Sequence, residues 1–209
     1  MRWSSNNGDE LGMIRLLRGS ISRIMRYSGA GEFSRRYAVM NAFDGVVTIL
    51  GIVLGSTLLG EASAGNVVAA GVGALIAMAI SGVSGTYMAE RAEQERRIRE
   101  LEEAMLTRLD NSIIAEARKR AAVFSAIVDA LAALLAGLVP LSPYFAVLSG
   151  LLNLHLAFYI SLGLSLSFLF TLGLFLGRIA RSNLIISGLK SLAIGAATIL
   201  LITLLNLFL

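Results

Sequence analysis

An aspartate stands inside an apolar run, NAFDGVVTILGIVLGS, Asn41 to Ser56. An ionised carboxylate in hydrocarbon costs about 2.5 kcal/mol or more, so it is functional by default and needs a partner. Asn41, Asp44, Thr48, Gly51 and Gly55 step by three and four, which puts them on one helix face. That face is polar or small, while the others carry Val, Ile and Leu. Gly51-x-x-x-Gly55 permits close approach of another helix, including the same helix of a second protomer. In line with a carboxylate and a hydroxyl, the seam suits a cation or proton path. The alternative is a buried polar anchor bonded to Asn or Ser.

Distances from the flanking arginines give depth. Asp44 follows Arg36 by eight residues, about 12 Å at the helical rise. Asp129 follows Arg120 by nine residues, and Gly82 precedes Arg91 by nine, each about 13 Å. Met78 lies one turn deeper on the Gly82 face. Two carboxylates and a thioether therefore occupy neighbouring layers. Oxygen ligands suit hard divalent ions, and an added thioether favours softer transition metals.

A second group of carboxylates lies in AERAEQERRIRELEEAMLTRLDNSIIAEARKR. Glu100-x-x-Glu103 puts two on one helix face, with Glu116 on the returning arm, and the three could capture a divalent ion. The competing reading is a self-paired, solvated helix. Glu93–Arg97, Glu95–Arg99 and Glu116–Arg120 are i,i+4 pairs in the favourable orientation.

These groups must be held by membrane-spanning helices. The chain has 209 residues and is 56% hydrophobic, with a mean hydropathy of +0.75. Five spans of sufficient length are expected at Tyr37–Leu59, Asn66–Met88, Ala121–Val139, Leu151–Leu176 and Leu184–Phe208. Seven Lys and Arg precede the first span, eight separate the second from the third, and three lie in or just after the loop between the fourth and fifth. These account for all 18, and the loops Gly60–Gly65 and Pro140–Gly150 have none. The asymmetry predicts an N-in, C-out, all-α membrane protein. It also assigns the high pI to inward-facing loops rather than to nucleic acid binding.

Residues 1–36 carry a capped amphipathic pattern. Asn7 and Glu10 open it, and Leu11, Ile14, Leu17, Ile21 and Ile24 form a stripe. Charges interrupt every apolar run there, so it is not a cleavable signal peptide. Its arginines suit an anionic cytoplasmic leaflet. The organisation expected is therefore this N-terminal helix, spans one and two over 37–88, a charged cytoplasmic insertion over 89–120 that LDNS interrupts, and spans three to five over 121–209. Asn111 or Ser112 can cap the helix leading into the third span.

At these motifs the chain resembles the vacuolar iron transporter family, which includes vacuolar iron and manganese carriers. DGVVTILGIVLGS is similar to its first-span signature, AISGVSGTYMAE (Ala79–Glu90) to its second-span block, and LVPLSPYF (Leu138–Phe145) to its proline-containing turn. The resemblance runs from Asn41 to the C-terminus with the same five-helix layout. It implies a homodimer that exchanges cytoplasmic Fe²⁺, Mn²⁺ or a similar ion for protons between paired first helices. The motif aspartate then matches Asp44. The family's second-span methionine aligns with Gly82, leaving Met78 as the candidate to replace it, and Asp129 matches no family residue. Relatives with a cytoplasmic metal-binding domain have a larger insertion, so residues 89–120 are a rudimentary version.

Enzyme chemistry is not expected. Gly82-Val83-Ser84-Gly85 fits the short motif of intramembrane rhomboid proteases, and His155 is the only histidine. Ser84 lies seven residues from Arg91, on the inner side, and His155 at the outer start of the fourth span. Nucleophile and base need hydrogen-bond reach. No cysteine is present, which removes thiolate sites and disulfides. The competing function is a non-transporting sensor or assembly protein that uses Asp44 as interhelical glue. His155 and Glu61 read as polar residues near the outer surface, with a minority role for each as exit-side cation groups. No permanently bound cofactor is expected. The topology would place the chain in the cell membrane of a prokaryote or the vacuolar membrane of a eukaryote.

Overall fold

The computed structural model describes residues 30–58, 60, 63–108 and 113–208. Among them the protein is all helical, in the order α1 (Ala30–Leu58), α2 (Ala64–Met105), α3 (Ile113–Leu148), α4 (Leu154–Ile179) and α5 (Leu184–Asn206). All five are long and apolar enough to cross a membrane. The expected N-terminal amphipathic stripe, Glu61, the LDNS break and the Asn111 or Ser112 cap lie outside the described residues. Residues 30–36 are helical and continuous with α1.

Two helices differ from the expected spans. The stretch Pro140–Gly150, read as an outer loop, is helical through Leu148, with Pro140 and Pro143 inside α3. Pro143 cannot donate to the carbonyl of Val139. The Ser142 hydroxyl donates to that carbonyl instead, at 2.7 Å. Ser161 of α4 likewise donates to the carbonyl of Pro140, at 2.6 Å. Side-chain donors of this kind let proline persist in membrane helices. The turn begins only where Gly150 adopts φ +76°. Helix α2 runs unbroken for 42 residues, about 63 Å. That is twice the hydrocarbon thickness of about 30 Å, so the helix is longer than a span needs. It ends where Leu106 takes φ +51°.

The described residues divide into two compact units, one comprising those up to Tyr37 and those of Val83–Val128, the other those of Ala38–Gly82 and those from Asp129 onward. In the first, Thr86, Glu90, Gln94 and Ile98 recur every four residues along α2 and are all buried. The Gln94 amide donates to Glu90 at 3.4 Å, and the Tyr37 hydroxyl also engages Glu90. Ser34 and Ser125 share a hydrogen bond of 3.0 Å.

In the second unit Ile49, Val53, Val67, Leu75, Leu141 and Tyr144 form one core cluster. Ala42, Val46, Ala136 and Leu169 form another. Small residues bring the backbones together. A Cβ on Gly45 would lie 2.4 Å from the Ala133 carbonyl oxygen, and one on Gly173 would lie 2.6 Å from that of Ser187. Helices in lipid associate through this kind of close packing. The buried face of α4 is correspondingly a row of Ala157, Ser161, Ser165, Leu169, Gly173 and Gly177. Asn183 caps α5 by accepting from the amides of Ile185 and Ile186.

Candidate metal-transport site

Helix α1 presents its polar residues in two directions. Asp44 is exposed on the surface of the chain, on the same strip as Met40 and Leu58. Gly51 and Gly55 continue this strip: a Cβ on Gly51 would meet Ile202 of α5 at 3.6 Å, and one on Gly55 would meet nothing within 4 Å. Thr48 is half-buried at its edge. Asn41 turns the other way, and its amide donates to Oδ1 of Asp129 on α3. The single face read from spacing is thus outward at Asp44 and Gly55, with Gly51 beside α5 and Asn41 diverted inward. One residue of α1 subtends about 100°, so five positions stepping by three and four fan out far enough to meet different neighbours.

Asp129 is 1% exposed, the most enclosed carboxylate among the described residues. Its Oδ2 lies where a Cβ on Gly82 of α2 would approach to 3.1 Å. The depth argument put Asp129 and Gly82 in one layer, and the structure brings them into contact. Met78, one turn from Gly82 on α2, is half-buried. Among the described residues no hydrogen bond or ion pair reaches the side chain of Asp44.

The extension of α2 is laced with ion pairs. Arg97 pairs with Glu93 at 3.0 Å, Arg91 with Glu95 at 2.9 Å, and Arg96 with both Glu93 and Glu100 at 3.3 and 3.5 Å. The hydrogen bond from Arg97, with Arg96 nearby, holds the Glu93 carboxyl below the usual carboxylate range. Glu100 and Glu103 are exposed, and Glu100 is drawn toward Arg96 rather than toward a second carboxylate. The side chain of Glu116 lies outside the described residues. Among those described, no three His, Cys, Asp or Glu side chains come together as a metal site within one chain.

Two features escaped the reading from spacing. Met40, 57% exposed, stands one turn before Asp44 and adds a thioether to the seam. The i,i+4 spacing of Met40 and Asp44 could have found it. Glu90, buried at 4%, is the other, at the start of the segment 89–120 expected as a charged cytoplasmic insertion. Its signal was the polar row at Thr86, Glu90 and Gln94, continuing the line of Met78 and Gly82.

The VIT family pattern matches residues 35–117 and 99–205. The chain belongs to the VIT family. It is also 33% identical over 184 residues, 87% of this chain and 92% of the relative, to a protein of Methanocaldococcus jannaschii described only as uncharacterized. VIT proteins are in general membrane transporters of metal ions such as iron and manganese. Membership accords with five membrane-length helices, and in such transporters the metal ion is cargo.

Proposed function

We propose that the chain is a proton-coupled antiporter that moves Fe²⁺ or Mn²⁺ out of the cytoplasm along the seam between two copies of α1. The observation that carries this reading is Asp44. It is an exposed carboxylate within a membrane-length helix, and among the described residues it has no partner in its own chain. Facing lipid alone, the ionised group would cost about 2.5 kcal/mol or more. A second protomer covers it, and a cation or proton satisfies it. Gly51 and Gly55 favour that approach, because neither projects a side chain.

In this account Asp44 replaces part of the metal's hydration shell and takes a proton when the metal leaves. Metal ligands of this type bind deprotonated, so metal binding releases protons. Asn41, Thr48, Met78 and Asp129 line the rest of the path. Glu100 and Glu103, with Glu116, gather metal at the inner mouth. The distribution of Lys and Arg supports the N-in, C-out orientation, with residues 1–36 and 89–120 on the cytoplasmic side. The glue reading has Asp44 serve only as an interhelical hydrogen bond, and among the described residues no neighbouring helix of its own chain supplies that bond.

The test is metal flux with purified protein in liposomes under an imposed pH gradient, over a panel of Fe²⁺, Mn²⁺, Co²⁺ and Zn²⁺. The reading predicts accumulation of Fe²⁺ or Mn²⁺ on the acidic side with proton counterflow. Metal movement indifferent to the gradient would remove the antiport, and no movement of any metal would return the chain to the sensor class.

A further inference from the structure

Each protomer holds two intramembrane carboxylates in unlike settings. Asp44 lies on the surface of the chain, whereas Asp129 is enclosed between α1 and α2. A hard divalent ion needs six or more oxygen ligands or several retained waters. Among the described residues no group of three His, Cys, Asp or Glu gathers at either aspartate within one chain, but Asp44 is open to a second protomer whereas Asp129 is enclosed. The Gly82 backbone also closes on Oδ2, with a Cβ position only 3.1 Å away. A proton needs no such shell. The Asn41 amide donates to Oδ1, and a carboxyl group accepts at that oxygen whether ionised or protonated at the other. The three-helix contact therefore survives both states.

We infer that Asp129 is a second proton-binding group of the transport cycle, distinct from the carboxylate that meets the metal, and that Gly82 is a positioning residue that leaves room for it. This rests on the antiport reading above. In each cycle an O–H bond forms on Asp129 with a proton from water on one side of the membrane. It breaks to return the proton to water on the other side, and no metal bond is involved. The titratable side chains within about two turns along the flanking helices are Asp44, one turn beyond Asn41 on α1, Tyr37 and Arg36, four and five residues before it, and Tyr87 and Glu90, five and eight residues beyond Gly82 on α2. Glu90 is engaged by Tyr37 and Gln94. Arg120 lies nine residues before Asp129 on α3.

The experiment measures protons moved per Mn²⁺ in liposomes, with a pH dye and a metal dye inside, alongside Mn²⁺ affinity in detergent. Asp129→Asn keeps the shape and the amide contact. It should lower the proton-to-metal ratio to about half, one of two titrating carboxylates per protomer being lost. Asp129→Glu should recover part of that ratio. Gly82→Ala keeps the carboxyl but crowds it, and should shift the pH midpoint of Mn²⁺ flux without changing affinity. An unchanged ratio in Asp129→Asn would overturn the inference, as would loss of Mn²⁺ affinity, which would make Asp129 a ligand. An unmoved midpoint in Gly82→Ala would remove the positioning role. If wild-type protein moves no Mn²⁺ but moves Fe²⁺, the same ratios are read with Fe²⁺. If it moves neither, the antiport reading fails and this inference with it.

Discussion

Gly45 of α1 lies against the carbonyl of Ala133 on α3 so closely that a Cβ there would stand 2.4 Å from the oxygen. From the other side, a Cβ on Gly137 would stand 3.1 Å from the Gly45 carbonyl oxygen. The two helices are therefore in backbone contact one residue beyond Asp44, which fixes the direction in which that carboxylate faces. Because the obstacle is backbone rather than a flexible side chain, the helices must separate to admit even a methyl group. Gly45→Ala should destabilise the protein by about 1–3 kcal/mol, the usual cost of overpacking. Thermal unfolding in detergent would check it, and a melting temperature equal to wild type would mean that α1 and α3 yield easily here.

The dimer seam can be tested without function. A Cβ at Gly55 meets nothing within 4 Å in its own chain, so a cysteine there is tolerated and points away from the protomer. Gly55→Cys should form a disulfide-linked dimer in native membranes under mild oxidation, in a chain with no other cysteine to interfere. A cysteine that labels readily from lipid yet never crosslinks would place the seam against the bilayer.

The charged half of α2 admits a sharper expectation than its composition alone. Glu93 is tied to Arg96 and Arg97, whereas Glu103 is exposed and Glu100, among the described residues, pairs with Arg96 alone at 3.5 Å. Exposed pairs of this kind contribute about 1 kcal/mol at most, so losing the Glu100 pair leaves the helix intact. Replacing Glu100 and Glu103 together by Gln should raise the metal concentration for half-maximal flux and leave the maximal rate near wild type. Unchanged half-saturation, measured in liposomes, would identify this arm as a solvated helix.

Much of the fold was legible because lipid leaves few options: backbone groups must pair internally, so apolar runs of about 20 residues become helices. What misled the reading was proline. Pro140 and Pro143 mark a turn in water, but hydroxyls from Ser142 and Ser161 satisfy backbone carbonyls around them, and the helix continues to Leu148. The site was legible in part. Spacing put Asn41 with Asp44 and depth put Asp129 level with Gly82. Only packing could turn Asn41 inward to Asp129 and leave Asp44 outward. That distinction depends on which side of α1 meets α3, set by Gly45 and Ala133. A sequence reading has no access to it, because a glycine in an apolar helix serves equally at either face. Glu90 was hidden by its neighbours, since six glutamates and four arginines over Glu90–Glu103 read as a solvated run.

The central claim is that the Asp44 carboxylate carries the transported charge. Asp44→Asn preserves volume and hydrogen-bonding capacity but removes the ionisable group. The measurement is Mn²⁺ and Fe²⁺ accumulation in liposomes driven by an imposed pH gradient, with the variant first checked for wild-type dimer content by crosslinking at Gly55→Cys. The account predicts that gradient-driven accumulation falls to the protein-free background while the dimer persists. A folded Asp44→Asn dimer that still accumulates metal against its gradient at the wild-type rate would contradict the account.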